Sequence, residues 1–283
     1  MAKQPDIVRE ETRGRGTKRL PIVLCLDLSP SMFNYDRYIY QNDAVRMFLR
    51  AICRNRRILE TAEIAFITFA DKILLETDFM PIWNLSFPAE VGVTGFDVSY
   101  RMLNSERKYR INTPAFYPLE RDACTELPMA VSRAHEKIKE RLRELPVMGL
   151  SHYAPFLLVT TDGNPDMKDY AKAEELEYSD EEKRVIRELG KSCNPACPVD
   201  DLILPFFVGI GDEDVDLSHL RRLAENLPSG LCPLEKRDKD LEKLGNMFSA
   251  LADTISQSVN YNSSTAGLLE RVAESIGKLT QKN

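Results

Sequence analysis

The sequence predicts an α/β fold, in which a doubly wound, mostly parallel central sheet carries helices on both faces and one antiparallel edge strand. Two observations predict it. Short apolar runs without alternation recur along the chain, which is typical of strands buried on both faces. Stretches with apolar residues at helical spacing lie between these runs, as in a parallel sheet covered by helices. The chain has 283 residues, of which 43% are hydrophobic, and this excludes a wholly disordered chain.

The elements follow from these patterns in chain order. The predicted strands are 19–26, 62–69, 72–79, 154–161, 201–210 and 230–234. The predicted helices are 42–59, 125–145, 179–189, 217–227 and 238–259. A tight turn at Ala70-Asp71 makes the third strand the expected antiparallel edge strand. Pro146 is expected to end the helix before it, because proline cannot continue the hydrogen-bond ladder.

The same patterns divide the chain into three parts. Residues 1–18 are polar, carry both charge signs and predict a flexible N-terminal arm. Residues 19–260 are expected to form one domain. Within this domain, prolines and glycines recur through residues 80–121. This stretch is too long for an ordinary connection between two elements, and it indicates an elaborated surface segment. Residues 261–283 are expected to be a partly helical C-terminal tail.

Charge and cysteine content narrow the classes of function. Lys and Arg number 38 and Asp and Glu 44, and the net charge of −6 argues against nucleic acid or an anionic membrane as partner. No apolar run approaches the ~18 residues of a membrane span, and the N-terminus lacks the apolar stretch of a secretory signal. The six cysteines are interpreted as reduced thiols of a cytoplasmic protein. Cys193 and Cys197 have a tolerable metal-ligand spacing, but ordinary thiols are favoured because nothing nearby completes a tetrahedral zinc site.

Three motifs are predicted to converge at one edge of the sheet. Asp27-Leu28-Ser29-Pro30-Ser31 follows the first strand, and Asp162 follows the strand that ends at Thr161. Thr125 opens a predicted helix. The carboxyl ends of parallel strands meet at one edge, so these groups can face one point. Carboxylate and hydroxyl oxygens are hard ligands, which suit Mg²⁺, Mn²⁺ or Ca²⁺ better than zinc.

These residues resemble the metal-ion-dependent adhesion site (MIDAS) of the von Willebrand factor type A (VWA) domain. That site follows the pattern Asp-x-Ser-x-Ser, then a distant Thr at a helix start, then a distant Asp after a strand. The resemblance covers nearly all of the chain between arm and tail, implies a VWA/Rossmann-like fold, and is greatest to bacterial proteins of the TerY/YegL type. It implies that Ser29, Ser31 and, in the binding-competent state, Thr125 bind the metal directly, while Asp27 and Asp162 act through water.

The sequence departs from the family pattern in two places. Ala123 and Cys124 stand where a glycine often precedes the threonine, and Pro30 separates the two serines. Thr94 is a second candidate for the threonine ligand, although no helical pattern follows it.

The function expected from this resemblance is non-enzymatic protein binding. A divalent cation at the site would recruit an Asp or Glu side chain of a protein partner. The resemblance further implies a bacterial stress-response or defence system with a kinase and a phosphatase as partners. The motif thus favours an acidic partner, whereas the net charge of −6 alone favours a basic one.

Two alternatives remain open at the level of sequence. In the first, Asp27 is the nucleophile of a metal-dependent aspartyl phosphotransferase or phosphatase. Ser29 stands where the dehalogenase pattern has its second Asp, so a proton donor is missing, and no histidine neighbours a nucleophile. In the second, the chain is a structural interaction domain with an inactive metal site. Asp27 and Ser29 would then only cap a helix, and Asp162 would only start a turn.

Overall fold

The computed structural model describes residues 18–102, 105–120, 123, 125–162, 180–192, 201–210, 234–236, 252, 255 and 256. The strands are β1 (Lys18–Asp27), β2 (Ala62–Phe69), β3 (Ile73–Glu76), β4 (Met80–Pro81), β5 (Gly92–Met102), β6 (Ser105–Ala115), β7 (Ser151–His152), β8 (Phe156–Thr161), β9 (Leu204–Ile210) and β10 (Leu234–Lys236). The α-helices are α1 (Arg37–Ile52), α2 (Arg56–Thr61), α3 (Leu127–Val147) and α4 (Asp180–Ser192). Two 3₁₀ segments span Pro30–Asp36 and Ile82–Asn84.

The central sheet has the strand order β10-β9-β8-β1-β2-β3. Neighbouring strands are parallel from β10 to β2, whereas β3 and β4 both run antiparallel to β2 and the short β7 runs parallel to β1. The predicted fold class is therefore confirmed, including the antiparallel edge strand.

The strand order reverses next to β1. From β1 the chain crosses through α1 and α2 to β2 on one side, and after α3 it returns to β8 on the other side of β1. In open α/β sheets, ligands bind in the crevice that such a reversal leaves at the carboxyl ends of the strands. Asp27 ends β1 and Asp162 follows β8, so both predicted acids lie at this crevice.

Two apolar cores lie on the two faces of the sheet. The first contains Leu20, Ile22, Leu24 and Leu26 of β1 together with Phe48, Leu49 and Ile52 of α1. The second contains Val23 and Cys25 of β1 together with Ala130, Val131 and Ile138 of α3. Alternate residues of β1 thus enter opposite cores. Because both faces are covered, the strand is apolar at every position from Leu20 to Leu26.

The predicted helix 42–59 is two helices in the structure. α1 begins five residues earlier than predicted, and the helical path breaks before α2. Asn55 caps α2, since its side-chain Oδ1 accepts hydrogen bonds from the backbone N–H groups of Arg57 at 2.9 Å and Ile58 at 3.4 Å. An asparagine that satisfies free N–H groups in this way favours a helix start over helix continuation.

The end of α3 is set by a glycine and not by the proline. Pro146 lies inside the last turn, and Gly149 has a left-handed φ of +72°. The backbone N–H of Leu150 donates to the Leu145 carbonyl, and that of Gly149 to the Pro146 carbonyl, both at 2.9 Å. This pair of hydrogen bonds is a Schellman motif, which satisfies the last carbonyls of a helix.

Much of segment 80–121 is a long antiparallel hairpin of β5 and β6, here called the β-ribbon. It packs on α1 through Phe96 and Ile111, which are buried in the first core. The guanidinium of Arg50 on α1 lies 5.2 Å from the centre of the Phe96 ring. The segment is thus anchored to the helix that follows the Asp27 loop.

Several predictions lie outside the described residues: the arm except Lys18, Cys193 and Cys197, the helix at 217–227, most of the helix at 238–259, and the tail at 261–283. Cys25 and Cys53 are free thiols in the core, and burial raises the pKa of Cys53 to about 12. Of the helices that the structure describes, none combines the length and apolarity needed to cross a membrane.

Candidate metal site

Asp27 and Asp162 come together because β1 and β8 are parallel neighbours. Leu26 pairs with Thr160, so each acid follows its strand at the same level of the sheet. Both acidic side chains are fully buried, and Ser29 is nearly so. Ser31 is partly exposed. Asp27, Ser29 and Asp162 therefore lie in the crevice at the strand-order reversal, and Ser31 is on its solvent side.

The loop after β1 holds its two serines side by side. The Ser29 backbone N–H donates to Asp27 Oδ1 at 2.7 Å, and the hydroxyls of Ser29 and Ser31 share a hydrogen bond of 2.9 Å. The 3₁₀ segment starts at Pro30, yet the Ser29 side chain makes no capping hydrogen bond to it. The capping interpretation therefore does not account for Ser29, whose hydroxyl is directed to the other serine.

Neighbouring backbone fixes this loop on both sides. The Leu28 N–H donates to the Phe69 carbonyl at the end of β2, at 2.7 Å. The Leu28 carbonyl accepts from the Leu119 N–H, at 2.9 Å. The segment after the β-ribbon is thus hydrogen-bonded to the candidate site itself.

The Asp27 carboxylate is held by hydrogen bonds in a buried environment. Thr161 donates its hydroxyl to Asp27 Oδ2 at 2.5 Å, so that both carboxylate oxygens accept a hydrogen bond. The pKa of Asp27 is raised to about 7, first by burial and then by the negative charge of Asp162, while the hydrogen bonds from Thr161 and Ser29 oppose the shift. Two buried carboxylates at one site are unfavourable unless positive charge accompanies them.

Arg37 supplies such a charge to Asp162. Its Nη1 lies 3.0 Å from Asp162 Oδ2, and both side chains are buried. The same nitrogen lies 3.5 Å from the carbonyl oxygen of Ser31. Arg37 is the first residue of α1, and its guanidinium also lies 5.5 Å from the centre of the Tyr35 ring.

Gln41 connects the two strands one helical turn further along α1. Its Nε2 donates to the Asp27 carbonyl at 2.9 Å, and its Oε1 accepts the Thr160 hydroxyl at 2.6 Å. Sequence reasoning missed Arg37, Gln41 and Thr161 as parts of the site. The sequence does contain a signal for Arg37 and Gln41. Their helical spacing places these polar residues on the same face as the buried apolar residues of α1.

The segment that carries Thr125 is hydrogen-bonded to the same edge of the sheet. Thr125 lies two residues before α3, and the next residue, Glu126, donates its N–H to the Ala70 carbonyl just after β2, at 2.8 Å. The Thr125 side chain is partly exposed. Among the described residues, no hydrogen bond joins the Thr125 side chain to the other four predicted ligands.

The alternative threonine has a different environment. Thr94 lies in β5, and its hydroxyl shares a hydrogen bond of 2.6 Å with the hydroxyl of Thr113 across the β-ribbon. It is therefore part of a strand pair and does not start a helix.

The donor set fits a hard divalent cation. Two carboxylates and two neighbouring hydroxyls meet at one crevice, with no thiol or imidazole among them, which suits Mg²⁺, Mn²⁺ or Ca²⁺. The described part of the chain contains no group of three or more His, Cys, Asp and Glu side chains that could hold a metal. Any cation at this site would therefore depend on the serine and threonine hydroxyls.

No protein-family model matches the sequence, and no curated protein matches it either. Among solved structures, the chain is similar to the PilB minor pilin from Streptococcus sanguinis, with a TM-score of 0.55 at 11% identity, over 88% of this chain and 64% of that one. It is also similar to the pilus adhesin SpaC from Lactobacillus rhamnosus GG in the open conformation, with a TM-score of 0.51 at 11% identity, over 86% of this chain and 30% of that one. The chain thus spans less than two thirds of either protein. At this identity the likeness shows the fold alone, an α/β domain with a mostly parallel central sheet.

Proposed function

We propose that this VWA-like domain is a non-enzymatic, metal-dependent protein-binding module. Asp27, Ser29, Ser31, Thr125 and Asp162 would hold a divalent cation, with Mg²⁺ first and Mn²⁺ or Ca²⁺ as alternatives. A bound cation would supply an open coordination position for an Asp or Glu side chain of the partner. The resemblance to the VWA family supports direct contacts from Ser29, Ser31 and Thr125, and outer-sphere roles for the two acids.

The observation that carries this proposal is the meeting of the two serine hydroxyls with two buried acids at the strand-order reversal. Ser29 does not cap the 3₁₀ segment, so another reason is needed for its hydrogen bond with Ser31 at the crevice. The raised pKa of Asp27 supports the same proposal, because a cation beside the two acids would relieve their repulsion.

The surface around Ser31 supports protein binding. Phe33, Tyr35 and Tyr117 expose 38%, 52% and 64% of their surface, respectively. Tyr38 links two of them, with its ring centre 5.5 Å from that of Phe33 and 5.8 Å from that of Tyr117. We call these four residues the aromatic rim. Exposed aromatic side chains are enriched at protein interfaces, where they bury a large area at low entropic cost.

A more specific assignment of protein type, biological system and partners rests on the sequence resemblance to the VWA family. We propose that the chain is of the TerY/YegL type, acts in a bacterial stress-response or defence system, and has a kinase and a phosphatase among its partners. Function does not follow from fold, so these assignments need their own evidence. Co-purification of a tagged chain with and without EDTA, followed by mass spectrometry, tests them. Partners that include neither enzyme would contradict them.

Calorimetric titration with Mg²⁺, together with the melting temperature in Mg²⁺ and in EDTA, tests the metal site. We expect one binding event in the native chain and its loss in Ser29→Ala. At a Mg²⁺ concentration 100 times the Kd, binding adds about 2.7 kcal/mol to the free energy of unfolding. Asp97→Asn is the matched control, since Asp97 is an exposed acid on the β-ribbon. Mg²⁺ binding that survives in Ser29→Ala would contradict the site, and no binding in the native chain would favour the inactive-site alternative.

The environment of Asp27 disfavours the phosphotransferase alternative. Both carboxylate oxygens accept hydrogen bonds and the side chain is fully buried, whereas a nucleophilic carboxylate must reach a phosphoryl group. Turnover of an aryl phosphate in Mg²⁺ is the test. We expect none, and activity that Asp27→Asn abolishes would establish an enzyme.

A further inference from the structure

Arg37 places a positive charge at the position where the proposed cation needs a negative partner. Its Nη1 contacts Asp162 Oδ2 at 3.0 Å and lies 3.5 Å from the Ser31 carbonyl oxygen. The guanidinium therefore lies between two of the predicted ligand residues. A positive charge beside the two acids makes the site attract a divalent cation less strongly than the acids alone would.

The ion pair of Arg37 and Asp162 is buried, so the loss of either charge would leave the other unpaired at a large cost in free energy. The two side chains are only 4% and 0% exposed. Removing one partner of a buried ion pair is strongly destabilising, because the other charge remains in a poorly solvating environment. A cation that takes over Asp162 would remove this penalty for the acid, while Arg37 would need another environment.

The backbone before Arg37 provides a place where such a change can occur. Tyr35 and Asp36 have left-handed φ values of 56° and 58°, although neither is a glycine. Left-handed conformations of such residues are strained and persist only where their surroundings hold them. This junction joins the 3₁₀ segment to α1. The ring of Tyr35 is partly exposed and already lies 5.5 Å from the guanidinium, so it can accept the charge by a cation–π contact.

We propose that Arg37 is an internal competitor of the divalent cation. It pairs with Asp162 in the metal-free domain and leaves Asp162, towards Tyr35 and solvent, when a cation binds. This inference rests on the proposed metal site and adds a property to it. Arg37 weakens the apparent cation affinity, and it makes the conformation of the junction beside the aromatic rim depend on the cation.

Calorimetric titration of three chains with Mg²⁺ tests the competition. We expect Arg37→Met to bind Mg²⁺ at least tenfold more tightly than the native chain, because the competing charge is gone. Arg37→Lys is the matched control, since it keeps the charge and should remain within about threefold of the native Kd. Equal or weaker binding by Arg37→Met would overturn the competition and leave the metal site standing.

A second measurement uses the native chain and does not depend on whether Arg37→Met folds. The ¹⁵Nε–¹Hε resonance of Arg37, assigned by its loss in Arg37→Lys, should shift during a Mg²⁺ titration and saturate at the calorimetric Kd. A resonance that stays unchanged while Mg²⁺ binds would overturn the inference alone. Absence of Mg²⁺ binding in the native chain and both variants would overturn the proposed metal site and the inference with it.

Discussion

At the scale of the residue, the position of Asp27 disfavours a negative charge, whereas binding of a cation requires one. Asp27 is fully buried at the end of a core strand, and the charge of Asp162 opposes its ionisation. A neutral side chain of the same shape would suit the metal-free fold better, whereas a cation requires the carboxylate. Sites of this kind commonly trade stability for function.

Replacement of Asp27 by asparagine separates these two effects. In EDTA, we expect Asp27→Asn to unfold with a free energy equal to or about 1 kcal/mol above that of the native chain, because the repulsion from Asp162 is removed. In Mg²⁺ the order should reverse, since the variant gains nothing from the cation. Urea unfolding in both buffers measures this. An equal response of both chains to Mg²⁺ would contradict a role for Asp27 at the metal site.

His135, whose side chain lies between α3 and α4, makes the free energy of unfolding depend on pH. Its Nε2 shares a 2.9 Å hydrogen bond with the Ser192 hydroxyl between α3 and α4. The pKa of His135 is lowered to about 4, first by burial and then by the positive charge of Lys139, while the charge of Glu188 opposes the shift. Because the folded pKa lies below the unfolded value of 6.5, the unfolded chain takes up the proton first. Stability contributed by His135 is therefore complete above pH 6.5 and is lost as the pH falls towards 4.

The expected loss across this window is on the order of 3 kcal/mol in the native chain. His135→Gln keeps a group that can hydrogen-bond to Ser192 and does not titrate. Its free energy of unfolding should therefore fall less than that of the native chain between pH 6.5 and pH 4. Urea unfolding at several pH values gives the difference in free energy of unfolding between the two chains. The contributions of the other titrating groups are common to both chains and cancel in this difference. Parallel curves for the two chains would show that His135 is not buried in its neutral form.

At the scale of the element, the helix ends show which local features decided the structure. The proline in the last turn of α3 did not end the helix, although it lacks the N–H that would bond the carbonyl four residues earlier. Gly149 ended it, since its left-handed φ allows the Schellman hydrogen bonds. A Cβ added at Gly149 would meet no atom within 4 Å, so only backbone strain opposes a side chain there.

This environment predicts the effect of substitutions at Gly149. Gly149→Ala should lower the free energy of unfolding by about 1 kcal/mol through left-handed strain. Gly149→Asn should cost less, because asparagine tolerates that conformation better. Thermal or urea unfolding of the two variants measures the difference. Equal stability of Gly149→Ala and the native chain would contradict the left-handed end of α3.

Segment 80–121 borders the candidate metal site, and we predict that the β-ribbon and the residues after it shape the choice of partner. The β-ribbon is anchored on α1, and the segment that follows it is hydrogen-bonded to the loop of the site through Leu28 and Leu119. Tyr117→Ser removes the most exposed ring of the aromatic rim. We expect unchanged Mg²⁺ binding and a stability within about 0.5 kcal/mol, as for an exposed position, but weaker retention of the partners that EDTA releases. Unchanged retention of these partners would contradict a role of this segment in binding.

At the scale of the whole molecule, β1 joins the two cores. Its alternate side chains enter opposite faces of the sheet, so neither face has a core that is independent of β1. Disruption of one core should therefore disrupt the other, as in the cooperative unfolding of a single domain.

A substitution inside β1 tests this cooperativity. Leu24 is fully buried in the first core, and Leu24→Ala should lower the free energy of unfolding by about 2–5 kcal/mol. Trp83, the chain's single tryptophan, gives a local fluorescence probe in the 3₁₀ segment Ile82–Asn84. Its unfolding curve should coincide with that from far-UV circular dichroism in both chains. Separate midpoints would show that the two faces unfold independently.

The sequence by itself determined the fold class and four residues that lie in the crevice or on its solvent side. Apolar runs and helical stripes are local patterns, and they identified the strands, the antiparallel edge strand and the acids at the strand ends. Asp27, Ser29, Ser31 and Asp162 followed from position alone, because parallel strands bring their carboxyl ends to one edge. Element boundaries were less accurate, since capping by Asn55 and Gly149 depends on backbone geometry.

Only the tertiary structure decided which charges and hydrogen bonds complete the site. Arg37 and Gln41 reach it from α1, Thr161 binds Asp27 from the neighbouring strand, and the β-ribbon packs against the helix that carries Arg37. Each of these contacts joins segments that are distant along the chain or on different elements. Sequence periodicity shows that a polar residue lies on a buried face, but its partner across the crevice depends on how the elements pack. For this reason the pair of Arg37 with Asp162, on which the proposed competition with a cation depends, could not be read from the sequence.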